Sequence, residues 1–303
     1  MIGLDTSHVT AFTEILNDAQ AEHHVPGARV VAAFPGGSPD FPLSWSRVVH
    51  YTNELRDRFG IPILESVEAV AAAADLVMIT SLDGRVHLAQ FQQILPYQRP
   101  TFVDKPLAIS VSESQQILQL ARDAQIPVMS CSAMRYADPL VKILQTNSHH
   151  IHGCDVVGLL TEQPTQRDLF FYGIHSMEIV VTVMGVGCQE VRAVRTNDAD
   201  LITIVYGDGR LASIRGIRHE DSRFWITLHR EGTDPVFLDL DRDYSARPRY
   251  VGLLDAILRS LPEGRSDVSE AEMLEVVKML EAAVTSRNNG GRSVYLTEIE
   301  PLL

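Results

Sequence analysis

Apolar and polar positions alternate in two different ways along this chain. Over roughly the first 130 residues, short apolar runs are separated by segments with helical spacing. The apolar runs are residues 1–2, 28–34, 62–64, 75–80, 101–103 and 126–130, and each reads as a strand. Helices are expected over 9–20, 49–59, 66–74, 86–95 and 112–124, with Asp5, Thr6 or Ser7 capping the first and Ser66 the third. Residues 35–42 read as a Gly/Pro loop. Strands alternating with helices at this spacing imply a parallel sheet covered on both faces. Ligands of such sheets bind beyond the carboxyl ends of the strands. That rule puts Gly3–His8, Ser81–His87 and Asp104–Pro106 along one crevice.

Past Arg135 the pattern changes to strands of period two. Helices are expected at 139–145 and 172–184, and strands at 154–161, 190–196, 201–206, 211–218, 224–230 and 236–240. Gly207-Asp208-Gly209 is a hairpin signal. Two helices, 250–260 and 269–287, close the chain, the second ended by Gly290-Gly291. The expected fold class is therefore α/β: a Rossmann doubly wound parallel sheet over 1–132, then an α+β domain with an open, mainly antiparallel sheet over 133–303. Ile202, Ile204, Leu211 and Ile214 suggest an exposed apolar sheet face, and so a homodimer or homotetramer paired through it.

Composition narrows the function. The chain has 303 residues, 45% of them hydrophobic and 21% charged, which is globular composition. A net charge of −13 disfavours nucleic acid as a partner. No apolar run reaches the ~18 residues of a membrane span, and no signal peptide is evident. The three cysteines, Cys131, Cys154 and Cys188, form no CxxC pair, which suits a reducing cytoplasm. A small-molecule enzyme fits these limits.

Only three of the 26 basic residues are lysines: Lys105, Lys142 and Lys278. Arginine cannot shed its proton for catalysis, whereas lysine can. Lys105 follows an apolar strand at its carboxyl end, where partial desolvation lowers an amine's pKa toward a useful range. The bland reading is a surface loop lysine. The other clusters are weaker. His149, His150, His152 and Cys154 are metal-ligand types without zinc-site spacing. Asp239, Asp241 and Asp243 read as a solvated strand edge that could bind a hard cation. No metal is expected.

The strand–DKPLAIS–helix segment resembles the E-K-P signature of the Gfo/Idh/MocA oxidoreductases, with Asp104 where that family has Glu. Residues 75–80 followed by His87, Met134–Pro139 with Arg135, the Tyr172–Glu178 segment, and 269–296 are similar to further family segments in order and spacing. The resemblance implies NAD or NADP as cofactor. It implies hydride transfer to or from a sugar, polyol or related hydroxy compound. It also implies a cis Pro106, Lys105 at the reacting hydroxyl and near the nicotinamide, and His175 as an acid–base or substrate-orienting group, both in the cleft. Cofactor contacts are expected from Gly3, Asp5, Thr6, Ser7, His8, Ser81, Asp83, His87, Asp104 and Lys105. Substrate contacts or orienting roles are expected from Glu178, Asp168, Arg135 and Tyr172.

Two departures stand out. The G-x-G-x-x-G fingerprint keeps only Gly3, and Asp5 occupies the position of the second glycine, where a carboxylate at a helix N-terminus would repel phosphate. After Phe34 the sequence runs Pro35-Gly36-Gly37-Ser38, without the usual acidic ribose ligand; Ser38 or Arg47 could meet a 2′-phosphate. The family's catalytic Asp falls on Phe171, so Glu178 or Asp168 would have to orient His175. These departures keep two rivals open: a non-catalytic ligand-binding or sensor protein, and a lyase or isomerase that holds its nicotinamide tightly. Only Met1 and Ile2 precede Gly3, where a central strand usually has about five or six residues. The expectation is further apolar residues upstream, or a weak first strand.

Overall fold

The computed structural model describes residues 1–146, 149–218, 223–241 and 247–299; Asp243 of the proposed acidic edge lies outside them. Two compact units share the chain. The first is Met1–Ala108, Glu113–Cys131 and Tyr250–Ser269; the second is Ile109–Ser112, Ser132–Arg249 and Glu270–Leu303.

The first unit is built on β1 (Val77–Ile79), β2 (Thr101–Asp104) and β3 (Val128–Cys131), all parallel. Single parallel bridges extend this sheet from β1 to Ile2, from Ile2 to Phe34, and from Ala33 to Ile63. The order is that of a doubly wound sheet with three strands reduced to a residue or two. One reduction has a clear cause. Asn17 uses its side-chain amide to bond both the Val30 carbonyl (3.0 Å) and the Val30 N–H (2.7 Å). Those backbone groups are thereby satisfied without a strand partner, so the expected strand over 28–34 forms only at its end. Met1-Ile2 pairs through Ile2 alone, although Ile2 sits fully buried between neighbours on both sides.

The helices of this unit are α1 (His8–Asn17), α2 (Pro42–Asn53), α3 (Val67–Ala73), α4 (His87–Ile94), α5 (Val111–Asp123, entered from the second unit) and most of α8, described below. Helix α2 starts seven residues earlier than its apolar spacing suggests. Pro42 sits in its first turn, where a missing N–H costs nothing. Ser66 caps α3 as expected, accepting from the Ala69 N–H at 3.1 Å.

The second unit is a seven-stranded sheet: β4 (Ile151–Leu159), β5 (Cys188–Arg195), β6 (Ala199–Tyr206), β7 (Leu211–Ile217), β8 (Trp225–Arg230), β9 (Val236–Asp239) and β10 (Val294–Tyr295). The order is β10-β5-β6-β7-β4-β8-β9, and only the β4–β7 pair is parallel. Helices α6 (Asp138–Thr146), α7 (Gly173–Met184), α8 (Arg249–Ser260) and α9 (Glu270–Asn288) complete the chain. Helix α8 belongs to the first unit from Tyr250 onward, although the chain reaches it only after strands β4 to β9 of the second. Tyr250 packs edge-on against the rings of His8 (5.2 Å) and Phe12 (5.4 Å).

Helices α7 and α9 pack on one face of the large sheet and are its main source of buried apolar area. The sheet face expected to be open needs a correction. Ile202, Ile204 and Ile214 lie on the helix-covered side and are buried. Leu211 lies on the other side and is 59% exposed. Side chains alternate with period two along a strand, so 211 and 214 cannot share a face. The uncovered side carries Leu211, Val194 and Phe237 among polar neighbours, rather than the isoleucine stripe.

Candidate functional site

The loops at the carboxyl ends of the first unit's strands are laced by buried polar groups. Gly3 has φ +93°, and a Cβ there would lie 2.5 Å from the Ser81 backbone, so only glycine permits this approach of the two loops. Ser81 Oγ donates to Gln90 Oε1 at 2.9 Å. His87 is fully buried and bridges two loops, with Nε2 at the Ser81 carbonyl (2.9 Å) and Nδ1 at the Pro106 carbonyl (2.9 Å). Asp83 caps the short helical turn Gly84–Val86, and Arg85 clamps it while also holding Asp40 through two 2.8 Å bonds. Ser81, Asp83 and His87, expected as cofactor contacts, thus spend these polar atoms inside the protein.

Asp5 overturns a sequence-based objection. It is fully buried and does not cap α1. Its carboxylate accepts from Ser44 Oγ at 2.6 Å and from the Leu82 N–H at 2.9 Å. Ser44 Oγ in turn accepts from the Ser38 N–H at 2.9 Å, so Ser38 too faces the fold. The residue at the cap of α1 is Ser7, which is exposed and makes no capping bond; the first turn holds no acidic side chain. Thr6 is buried, and its Oγ1 accepts from the His8 N–H at 3.4 Å. An uncapped helix start without a carboxylate suits a phosphate. The residues present therefore fit a dinucleotide at Gly3, Thr6 and Ser7, with Asp5 acting behind the loop.

Burial pushes the Asp5 carboxyl above its ordinary 3.8, against the bonds from Ser44 and Leu82. Such a group favours folding at low pH, and that contribution is lost as pH rises through its raised value. Asp5→Asn is therefore expected to equal or exceed the parent in urea stability at pH 8 and to lose that margin near pH 4. Asp5→Ala should cost about 1–3 kcal/mol at both, because Ser44 and Leu82 lose their acceptor. Equal losses for the two variants at pH 8 would contradict this reading.

Asp104 ends β2 and is buried. Its Oδ2 meets His8 Nδ1 at 2.6 Å, and its Oδ1 accepts from the Lys105 N–H at 3.0 Å. Burial alone would raise its pKa; the charge and bond of His8, helped by Lys105, overcome this and bring it to about 2. The stabilisation this represents is complete above the ordinary 3.8 and fades as pH falls toward 2. His8 stands where the fingerprint's third glycine would be, and its ring stacks on Phe12 at 5.4 Å. Lys105 follows, and its peptide bond to Pro106 is cis, as the resemblance implied. Burial pulls the Lys105 ammonium below its ordinary 10.5, with Asp104 opposing.

The second unit holds His175 on the first turn of α7. Tyr172 and Phe224 meet its ring edge-on, each at 5.6 Å between centroids. Its Nδ1 lies 2.6 Å from Ser132 Oγ. The two carboxylates expected to orient it, Glu178 and Asp168, are each bonded to arginine. Glu178 is buried against Arg135 (2.8 Å) and accepts from the Ser132 N–H; burial, relieved only in part by Arg135, raises its pKa. Arg135 also reaches Glu272 at 2.9 Å and is a cross-link inside this unit. Asp168, at φ +53°, pairs with Arg287 and lies 3.9 Å from Arg195, in a network with Glu162, Asp200 and Arg218. Phe171 is buried and packs edge-on against Tyr172. Ser132 was missed by sequence reasoning; a lone serine after a strand carries no pattern, and only its cap position before a helical turn hinted at order. No cluster of three or more metal-ligating side chains occurs among the described residues.

Residues 44–131 match the model of the oxidoreductase family with NAD-binding Rossmann fold, Gfo/Idh/MocA. That model covers 88 of the 303 residues. The Gfo/Idh/MocA match includes β1 to β3, the Asp104-Lys105-Pro106 turn and His87. It bears out the reading of an oxidoreductase-type domain for NAD or NADP. Solved structures extend the likeness over the whole chain. A probable dehydrogenase from Thermotoga maritima superposes with TM-score 0.77 at 16% identity, over 98% of each chain. An oxidoreductase from Agrobacterium radiobacter in complex with NAD+, L-tartaric acid and magnesium gives 0.75 at 16%, over 99% of this chain and 98% of that one. Apo scyllo-inositol dehydrogenase from Lactobacillus casei gives 0.74 at 13%, over 98% and 97%. At these identities the likeness is one of fold. No curated protein sequence matches.

Proposed function

We propose that the protein is an NAD(P)-dependent oxidoreductase acting on a secondary hydroxyl of a sugar, polyol or related compound, or on the corresponding ketone. The observation that carries this is the place of the Lys105 amine: it directly follows β2, at the carboxyl end of a buried parallel strand and within the stretch that the family model matches, and burial draws its pKa downward. An amine whose pKa is drawn below its ordinary value gives up its proton more readily than a free lysine. The His8–Asp104 pair supports it by occupying the neighbouring carboxylate. A bound nicotinamide would supply the hydride-transfer chemistry. Gly3, Thr6 and Ser7 would hold its phosphates. Lys105 or His175 would take the hydroxyl proton, and the other would fix the oxygen by a hydrogen bond. Tyr172 would pack beside the substrate. No helix among the described residues is long and apolar enough to cross a membrane, and the three cysteines are buried and form no disulfide with one another, with the Cys154 and Cys188 thiols raised by burial to about 12. Unreactive buried thiols suit a cytoplasmic setting.

A second reading, a ligand-binding protein that has lost its chemistry, is favoured by Phe171, which offers no group for proton transfer. Thermal-shift and fluorescence titration with NADH and NADPH separates the two. The oxidoreductase reading expects at least one to raise the melting temperature and show saturable fluorescence. Ligand binding stabilises the native state by about 2.7 kcal/mol at a hundredfold excess over Kd. No shift with either dinucleotide would overturn it.

A further inference from the structure

We propose that Ser132 fixes His175 as the Nε2–H tautomer, so that His175 can meet a bound substrate only as a hydrogen-bond donor through Nε2. This rests on the oxidoreductase reading for its chemistry, but the tautomer itself does not.

The argument counts hydrogens on one buried hydroxyl. Ser132 is fully buried, out of reach of bulk water. Its Oγ accepts the Met134 N–H at 3.1 Å as the cap of the helical turn Ala133–Tyr136. That uses a lone pair and leaves the hydroxyl hydrogen to be placed. Among the described residues one acceptor is in reach of it, His175 Nδ1 at 2.6 Å. The opposite arrangement, with Nδ1–H donating to Ser132, would leave the serine's own hydrogen buried without an acceptor, which is costly. Hence Ser132 Oγ–H donates, Nδ1 accepts, and the neutral ring's single proton sits on Nε2.

The geometry cannot relax out of this state easily. The Ser132 backbone N–H is held by the Glu178 carboxylate, itself anchored on Arg135. The imidazole plane is confined between the edges of Tyr172 and Phe224. Ser132 is thus a positioning residue: it acts on the substrate only through the nitrogen it leaves protonated.

The consequence for the reaction is directional. A neutral Nε2–H cannot accept a proton from an alcohol, but it can donate a hydrogen bond to a carbonyl or alkoxide oxygen. In either direction of a hydroxyl–carbonyl interconversion, His175 would hold the substrate oxygen by its Nε2–H and would not carry the transferred proton. His175 keeps its proton throughout.

The test is a long-range 1H–15N NMR spectrum of the full chain carrying 15N-labelled histidine, with the His175 signals assigned by their loss in His175→Gln. The expected pattern at pH 8 is a pyridine-like Nδ1 and a pyrrole-like Nε2. In Ser132→Ala the pattern should move toward a mixture of tautomers, while Ser132→Thr, which keeps the hydroxyl, should restore it. Once a substrate is found, Ser132→Ala should lower kcat by about tenfold or more with a smaller change in KM. A pyrrole-like Nδ1 in the parent protein, or a spectrum unchanged in Ser132→Ala, overturns the assignment. Failure of NADH and NADPH to bind would leave this spectrum as expected and sink only the oxidoreductase reading.

Discussion

Lys105→Met should lower turnover by a factor of about 10² to 10⁴ while leaving the protein at least as stable as the parent near neutral pH. The two halves of this expectation come from the same burial. An ammonium taken out of water costs folding energy, and methionine, of similar length, removes the charge. Because the folded-state pKa of Lys105 lies below 10.5, the parent gains stability as pH rises from that lowered value toward 10.5. Lys105→Met should lack this component. Asp104 keeps the Lys105 backbone N–H and the His8 contact in the variant, so the turn itself survives. Turnover and chemical denaturation, each followed between pH 6 and 10, decide the matter. A large loss of stability with turnover intact would make Lys105 a structural partner of Asp104 instead.

The largest stability loss is expected from Arg287→Met. Arg287 is 4% exposed and meets Asp200 at 2.8 Å, Glu162 at 3.1 Å, and Asp168. Asp200 is fully buried, and its pKa is already raised by burial despite Arg218. Taking away one cation leaves these carboxylates short of positive charge in a dry setting, which typically costs about 3–5 kcal/mol. The same change should loosen the 162–168 loop, since Asp168 holds a left-handed backbone conformation at φ +53° only while anchored. Urea denaturation with hydrogen exchange over α7 and α9 reads both effects. A loss below about 1 kcal/mol, the range of exposed ion pairs, would show that the network is solvated.

The parts legible in the sequence were those with a repeating signal. Apolar runs and helical spacing placed β1, β2, β3, α5, α7 and α9 within a few residues, and the DKP turn was visible because it joins a strand to a helix. What stayed hidden depends on pairs of residues far apart in the chain. Asp5 read as a carboxylate at a helix start, yet it turns toward Ser44, 39 positions away. Ser81, Asp83 and His87 read as ligand contacts because they sit at strand ends; that their bonds also tie one loop to the next was not visible. Arg135 pairs with Glu178 and Arg287 with Asp168, contacts that no spacing in the sequence announces. The Leu211 error had a simpler origin, a mismatch of strand parity.

The interleaving of the two units has a consequence for how this protein can be taken apart or recombined. The Rossmann unit is completed by residues 250–269, and Tyr250 from that segment shields His8 and Phe12. A gene cut once after codon 131 encodes a nucleotide-binding half stripped of its own final helix. Exchange of either half with a homologue therefore demands paired breakpoints, and a chimera made with a single crossover inherits a mismatched ring against His8.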